Sequence, residues 1–195
     1  MHRISLVLAS NNQHKVTEIR KILPKCFDLV SLMDAGITSE LPETKGTIIG
    51  NATQKAFFVW EVTGIECLAD DSGLEVEALD GHPGVDSAHY SGFPISADRN
   101  MDLLLSQLEG HENRRASFVT ILALIQDGVC HHFEGRVYGT ISEHKRGENG
   151  FGYDPIFIPE GQHLTFAEMD EELKNAISHR ALALGKLKVF FDLKE

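Results

Sequence analysis

Residues 115–141, RASFVTILALIQDGVCHHFEGRVYGTI, read as two β-rich runs that meet at Asp127-Gly128. Apolar and β-branched residues dominate the first run, and Asp-Gly between two such runs is a strong signal for a two-residue hairpin turn. Strands are therefore expected over 115–126 and 129–141. A hairpin pairs its strands antiparallel, so whatever sheet receives it is not purely parallel.

Toward the N-terminus the pattern changes. Residues 4–9 (Ile-Ser-Leu-Val-Leu-Ala) predict a buried strand and Ser10-Asn11-Asn12 a polar turn. Val16, Ile19, Ile22 and Leu23 then recur at helical spacing until Pro24. A second strand is expected over 26–32. A helix is expected from about Thr47 to Val62, with Ile48, Ala52, Ala56 and Val59 on one face and Gly64 just past its end. Residues 65–69 predict a short strand leading into Asp70-Asp71-Ser72-Gly73, then another short strand at Leu74–Leu79 and a loop at Gly81, Pro83 and Gly84. Ser96 stands where it would cap a helix carrying Met101, Leu104, Leu105 and Leu108.

Beyond the hairpin, Gly147–Gly152 predicts a turn and Pro155–Ile158 a strand. The last helix is expected to begin near Ser178 and to carry Leu182, Leu184, Leu187 and Phe190. Early alternation of strands and helices, followed by a long hairpin, predicts an α/β protein with a mixed sheet flanked by helices.

At 195 residues the chain is long enough for one large domain or two small ones, either with a substantial core. Its 42% hydrophobic and 24% charged residues match soluble globular proteins and argue against disorder or a fibrous repeat. No apolar run approaches bilayer length, and the N-terminus lacks a signal-peptide cleavage pattern, so a cytoplasmic protein with no membrane partner is expected. Cys26, Cys67 and Cys130 are widely spaced and odd in number, which predicts reduced thiols. The net charge of −11 argues against a nucleic-acid partner, although a few local cations suffice for one small anion.

Five short segments hold chemistry-bearing residues. Ser10-Asn11-Asn12-Gln13-His14-Lys15 joins a buried strand to a helix, where free N–H groups and the helix dipole suit phosphate oxygens. The simpler alternative is that Asn12 caps the helix and Lys15 is solvated; the glycines of a Walker loop are absent. In Asp70-Asp71-Ser72-Gly73 the adjacent carboxylates repel, so a cation should offset them, and a divalent ion fits hard oxygen donors. An acidic turn is the alternative. Glu43 could supply a second metal carboxylate and Lys55 could meet phosphate, although each alone reads as a surface charge.

Gly150-Phe151-Gly152-Tyr153-Asp154 could let a backbone approach a ligand closely, with an aromatic ring to stack on a base and Asp154 to accept from it. Equally, it could be a Gly-rich turn with Phe151 and Tyr153 in the core. In Lys174–Arg180, a cap at Ser178 would put His179 and Arg180 in a first helical turn, where cations oppose the dipole. His131 and His132 fall in an expected strand and point to opposite faces, which does not suit a transition metal.

These segments, in this order, resemble the inosine triphosphatase family of nucleoside triphosphate pyrophosphatases, most specifically in ADDSGLEVEALDGHPGVDSAHYSG at 69–92, GFGYDP at 150–155 and ISHRALALGKL at 177–187. The resemblance spans nearly the whole chain. It implies a single domain over 1–195 and an elongated mixed sheet flanked by helices, with two lobes and a central substrate cleft. It also implies a homodimer that hydrolyses ITP, dITP and XTP to monophosphate and pyrophosphate with Mg2+. By position, it implies that Ser10, Asn11, Asn12, Gln13, His14 and Lys15 hold the triphosphate with Lys55. Glu43 and Asp71 would bind the metal, with Asp71 also the catalytic base, and Ser72 would contact substrate. Phe151, Gly152, Tyr153 and Asp154 would line the base and sugar pocket, closed by Lys174, His179 and Arg180. Asn11, Lys45, Gly50 and Leu173 depart from the family's common pattern. On this reading, Arg180→Ala would relax base discrimination more than it lowers stability.

Overall fold

The computed structural model describes residues 4–23 and 27–192. The expected helix stop at Pro24, the first residue of the expected second strand and the Cys26 thiol lie outside the described residues. The described residues include seven strands of one sheet, β1 (Ile4–Ala9), β2 (Phe27–Val30), β3 (Cys67–Val76), β4 (Pro83–Gly84), β5 (Arg115–Gln126), β6 (Val129–Ile141) and β7 (Phe157–Pro159), with neighbour order β2-β1-β3-β5-β6-β7 and β4 paired with β3.

Strand β1 (Ile4–Ala9) runs parallel to β2 (Phe27–Val30) and to β3 (Cys67–Val76). Two long strands, β5 (Arg115–Gln126) and β6 (Val129–Ile141), flank the Asp127-Gly128 turn. Both turn residues have positive φ, 50° and 75°. That combination defines the hairpin turn whose twist matches its strands. Strand β7 (Phe157–Pro159) lies antiparallel to β6. The sheet is mixed, and the chain is α/β.

Helix α1 (Gln13–Ile22) starts where the Asn12 side chain accepts from the backbone N–H groups of His14 and Lys15. Helix α2 (Ile48–Thr63) is capped by Thr47 and ends at Gly64, whose φ of 66° is the left-handed conformation that glycine adopts without strain. Its buried stripe includes Ile48, Ala52, Ala56 and Val59 but also Asn51 and Lys55. Helix α3 (Ala97–Gln107) is capped by Ser96 as expected.

Several expectations need correction: Pro83–Gly84, expected in a loop, is a short strand, and the strand expected over 155–158 starts only at Phe157, after a 3-10 turn at Asp154–Ile156. The acidic pair does not interrupt the sheet: β3 is one ten-residue strand through Asp70-Asp71-Ser72-Gly73, because β1 pairs with Cys67–Ala69 and β4 (Pro83–Gly84) with Leu74–Glu75. Residues 77–79 form a 3-10 turn instead of continuing the strand. A further helix, α4 (Glu171–Ile177), precedes α5 (His179–Asp192). Asp170 caps α4 by accepting from Leu173 N–H, and Glu171 and Glu172 favour its N-terminal dipole. Ser178 has an extended backbone that separates the two helices, and its N–H closes α4.

The chain divides into two compact units. One comprises residues 1–71, 120–135 and 180–195; the other comprises 72–119 and 136–179. The first is built on a core of Leu6, Leu8, Ile19, Leu68, Leu122, Leu124 and Leu187. The second has its own core around Leu74, Leu104, Phe118, Phe157 and Phe166. Among the described residues, no helix is long and apolar enough to cross a membrane.

Candidate active site

In the first unit, the adjacent carboxylates of Asp70 and Asp71 have separate partners. Adjacent strand residues face opposite ways, so the pleat separates two carboxylates that are neighbours in the linear sequence. Asp70 is fully withdrawn from solvent. It pairs with Lys15 Nζ and accepts from Arg180 Nε at 2.8 Å. Burial alone would raise its pKa, but the Arg180 and Lys15 charges outweigh that cost and hold the carboxyl far below the usual carboxylate range.

Asp71 instead accepts from Lys55 Nζ at 2.8 Å, and the same ammonium donates to Glu43 Oε1 at 2.6 Å and to the Asp70 carbonyl at 2.9 Å. The carboxylates of a loop and a strand thus converge on one buried cation. Burial pushes the Asp71 carboxyl above its ordinary value despite the pull of Lys55 and Lys15. For Lys55 the balance is reversed: burial lowers its pKa, but Asp71 and Glu43 raise it further, so the ammonium stays charged.

Around the first turn of α1, Ser10 Oγ accepts from Asn12 N–H at 3.2 Å, and Asn11, Asn12, Gln13 and His14 are exposed. Asn12 therefore caps the helix, as the simpler reading held. Lys15 is not solvated, however, since its charge is directed at Asp70. Arg180, at the start of α5, has Nε on Asp70 and Nη1 on Glu18 of α1. A guanidinium anchored at two carboxylates also ties α1, β3 and α5 of this unit together, so Arg180→Ala is expected to cost stability as well as to relax base discrimination.

The second unit holds Ser72, Phe151, Gly152, Tyr153, Asp154, Lys174 and His179. Asp154 Oδ2 accepts from Phe151 N–H at 2.6 Å and from Lys174 Nζ at 2.8 Å. The Lys174 ammonium also lies over the Phe151 ring, 5.0 Å from its centroid. Gly150 has a φ of 77°, and a Cβ there would meet Asp154 Oδ2 at 2.2 Å. This glycine makes room for the protein's own carboxylate. Tyr153 packs into the core and donates to Ser87 O at 2.9 Å, so its side chain fills the structural role that had been the alternative. The His179 ring stacks on Phe118, with centroids 4.8 Å apart.

Several participants escaped the sequence reading. Glu18 and Phe118 gave no local sign of a role. Asn51 and Gln54 gave one, since they share a helix with Lys55 at i, i+3 and i+4 spacing. Among the described residues, no group of three or more His, Cys, Asp or Glu side chains gathers as a ready metal cage. His131 and His132 diverge as expected, one against Phe190 and the other on Thr53 Oγ1.

The donor set nevertheless suits a hard divalent ion. Two carboxylates already share one cation, and Mg2+ characteristically takes one or two carboxylates plus substrate phosphates instead of a closed protein cage.

Fold and charge distribution define an α/β protein with paired acidic and basic groups suited to a phosphorylated ligand. The model of the Ham1 family matches residues 6–190. A dITP/XTP pyrophosphatase of Porphyromonas gingivalis is 53% identical, over 95% of this chain and 96% of that one. One of Flavobacterium johnsoniae is 48% identical, over 94% of this chain and 96% of its own length. The solved structure of the Staphylococcus aureus Ham1 protein superposes with a TM-score of 0.91 at 37% identity, covering 98% of this chain and all of that one. The chain belongs to the Ham1 family.

Proposed function

We propose that this protein is a nucleoside triphosphate pyrophosphatase that converts ITP, dITP and XTP to monophosphates and pyrophosphate, removing them from the pool used for DNA and RNA. The observation that carries the reading is the meeting of Glu43 and Asp71 on a single ammonium, beside an Asp70–Lys15 pair at the first turn of α1. The names of the relatives support the substrate class. The whole chain, 1–195, acts as one pyrophosphatase domain, consistent with a family match over 6–190.

Glu43 and Asp71 would hold Mg2+, which when bound supplies phosphate-charge neutralisation and orientation of the anhydride. Ser10, Asn11, Asn12, Gln13 and His14 offer side-chain and backbone donors to the triphosphate, and Lys15 and Lys55 supply positive charge. Asp71 is the buried carboxylate beside Lys55 and would serve as the general base. Ionised, it takes a proton from the water that attacks the α-phosphorus. The bond from that phosphorus to the bridging oxygen breaks in line, and pyrophosphate leaves. Ser72 would contact the substrate. Phe151, Gly152 and the Tyr153 backbone would form the base-side surface. Asp154, Lys174, His179 and Arg180 would set its donors and acceptors, favouring a 6-oxo purine over adenine, which would leave buried donors unpaired. We also take the protein to be a cytoplasmic homodimer with no nucleic-acid or membrane partner, in keeping with its net charge of −11.

A pyrophosphate-release assay with ITP, dITP, XTP, ATP, dUTP and dTTP, with and without Mg2+, tests this. The expected result is Mg2+-dependent release that is fastest with ITP, dITP and XTP. Fastest release from a pyrimidine would overturn the substrate assignment, and tight ITP binding without turnover would make the protein a nucleotide-binding module instead.

A further inference from the structure

Glu43 lies in a segment with neither helix nor strand, so something other than a ladder of backbone hydrogen bonds must fix its carboxylate. Helix α2 does this with successive side chains of one face. Lys55 Nζ donates to the Glu43 carboxylate at 2.6 Å. Gln54 Oε1 accepts from Thr44 N–H at 2.9 Å, while its Nε2 donates to Thr44 Oγ1 at 3.0 Å. Asn51, 5% exposed, accepts from Lys45 N–H at 2.9 Å. Residues 43, 44 and 45 are therefore gripped in order by residues 55, 54 and 51.

The arrangement depends on one further feature of this sequence. A Cβ on residue 50 would lie 2.7 Å from Lys45 Cβ and 2.7 Å from Thr47 Oγ1. Glycine at 50 leaves room for the Lys45 side chain against the helix, on the same stretch whose Lys45 N–H donates to Asn51. The departures at Lys45 and Gly50 are thus two halves of one accommodation.

We infer that Gln54 and Asn51 are positioning residues for the proposed reaction: they clamp the backbone of Thr44 and Lys45 so that Glu43 presents its carboxylate, opposite Asp71, to a divalent cation. Neither touches substrate or metal. The inference rests on the metal assignment made above for Glu43 and Asp71. Residues that orient a metal ligand from behind commonly change metal affinity by about 10- to 100-fold when replaced.

The test uses the full-length protein, Gln54→Leu, which removes both bonds to Thr44, and Gln54→Glu, which keeps an acceptor for its N–H. Amide hydrogen exchange at Thr44 and Lys45 is measured without metal, and Mn2+ binding is measured by paramagnetic resonance without nucleotide. In Gln54→Leu, exchange at the Thr44 amide, which loses its acceptor, is expected to rise about tenfold or more, with Lys45 still held by Asn51, α2 amides unchanged and Mn2+ affinity reduced about tenfold. Pyrophosphate release should need more Mg2+ but approach the wild-type rate at saturation, and Gln54→Glu should recover most of the affinity. Unchanged exchange at Thr44, or a looser Thr44 amide with wild-type Mn2+ affinity, would overturn the clamp. If the wild-type protein bound no Mn2+ and turned over without metal, the metal assignment would fall instead, and with it the proposed consequence of the clamp; the exchange data would still decide whether the clamp itself exists.

Discussion

Arg180 Nε donates to Asp70 Oδ2 at 2.8 Å, and the two side chains, 110 residues apart in sequence, are both withdrawn from solvent. Removing Arg180 leaves buried Asp70 with Lys15 alone and takes the guanidinium from Glu18; breaking a buried pair in this way typically costs about 3–5 kcal/mol. Arg180→Ala should therefore lower the thermal midpoint by roughly 10 °C for a chain of this size. Calorimetry or fluorescence melting checks this. A midpoint within 2 °C of wild type would show that the pair contributes little.

The same pair gives stability an acid limb. The folded-state pKa of Asp70 lies well below its ordinary value, so its contribution is fully present above the ordinary carboxylate range. It is lost as the pH falls from there toward the folded value, that is, below about pH 5. Asp70→Asn removes this term. Denaturant titrations should show wild type the more stable at pH 7, with the gap narrowing steadily toward pH 3. A gap that stayed constant would assign the effect to packing alone.

Asp71 has the opposite sign. Burial raises its pKa, so its contribution to folding is present below the ordinary carboxylate range and lost as the pH rises through the folded value. Asp71→Asn, nearly isosteric, should reduce turnover of ITP by about 10²- to 10⁴-fold. Its metal-free melting midpoint should stay within a few degrees of wild type. Wild-type rates in this variant would remove Asp71 from the mechanism.

Gly150→Ala reaches Asp154 through a single methyl group. The new Cβ would stand 2.2 Å from Asp154 Oδ2, at a φ of 77° that alanine adopts poorly. The carboxylate must then move off Phe151 N–H or Lys174 Nζ. On the role proposed for Asp154 beside the base, steady-state kinetics should show KM for ITP raised about tenfold, with kcat reduced less. A change confined to kcat would place Asp154 nearer the chemistry.

Much of this was legible in the chain. A short apolar run marked β1, period-3.6 patterns marked α1, α2 and α3, and β-rich runs on either side of Asp127-Gly128 marked the β5–β6 hairpin, because composition and periodicity within an element are local properties. The missed helix α4 is short and without a strong apolar stripe, yet its Asp170 cap and two leading glutamates were readable signals. The extension of β3 through the acidic pair was harder to foresee, since Asp-Asp reads as a turn until the neighbouring strands and the opposing cations are known.

The sequence by itself determined most of the elements, the mixed character of the sheet and which residue types were available for chemistry, because these follow from composition and local periodicity. Only the tertiary structure decided their assignment. It gave Asp70 to Lys15 and Arg180 as a fixed ion pair, gave Asp71 to Lys55 and Glu43, and turned one face of α2 into the support of the Glu43 loop. Charges choose partners through space, and neither an aspartate's burial nor the cation it meets is set by its neighbours along the chain.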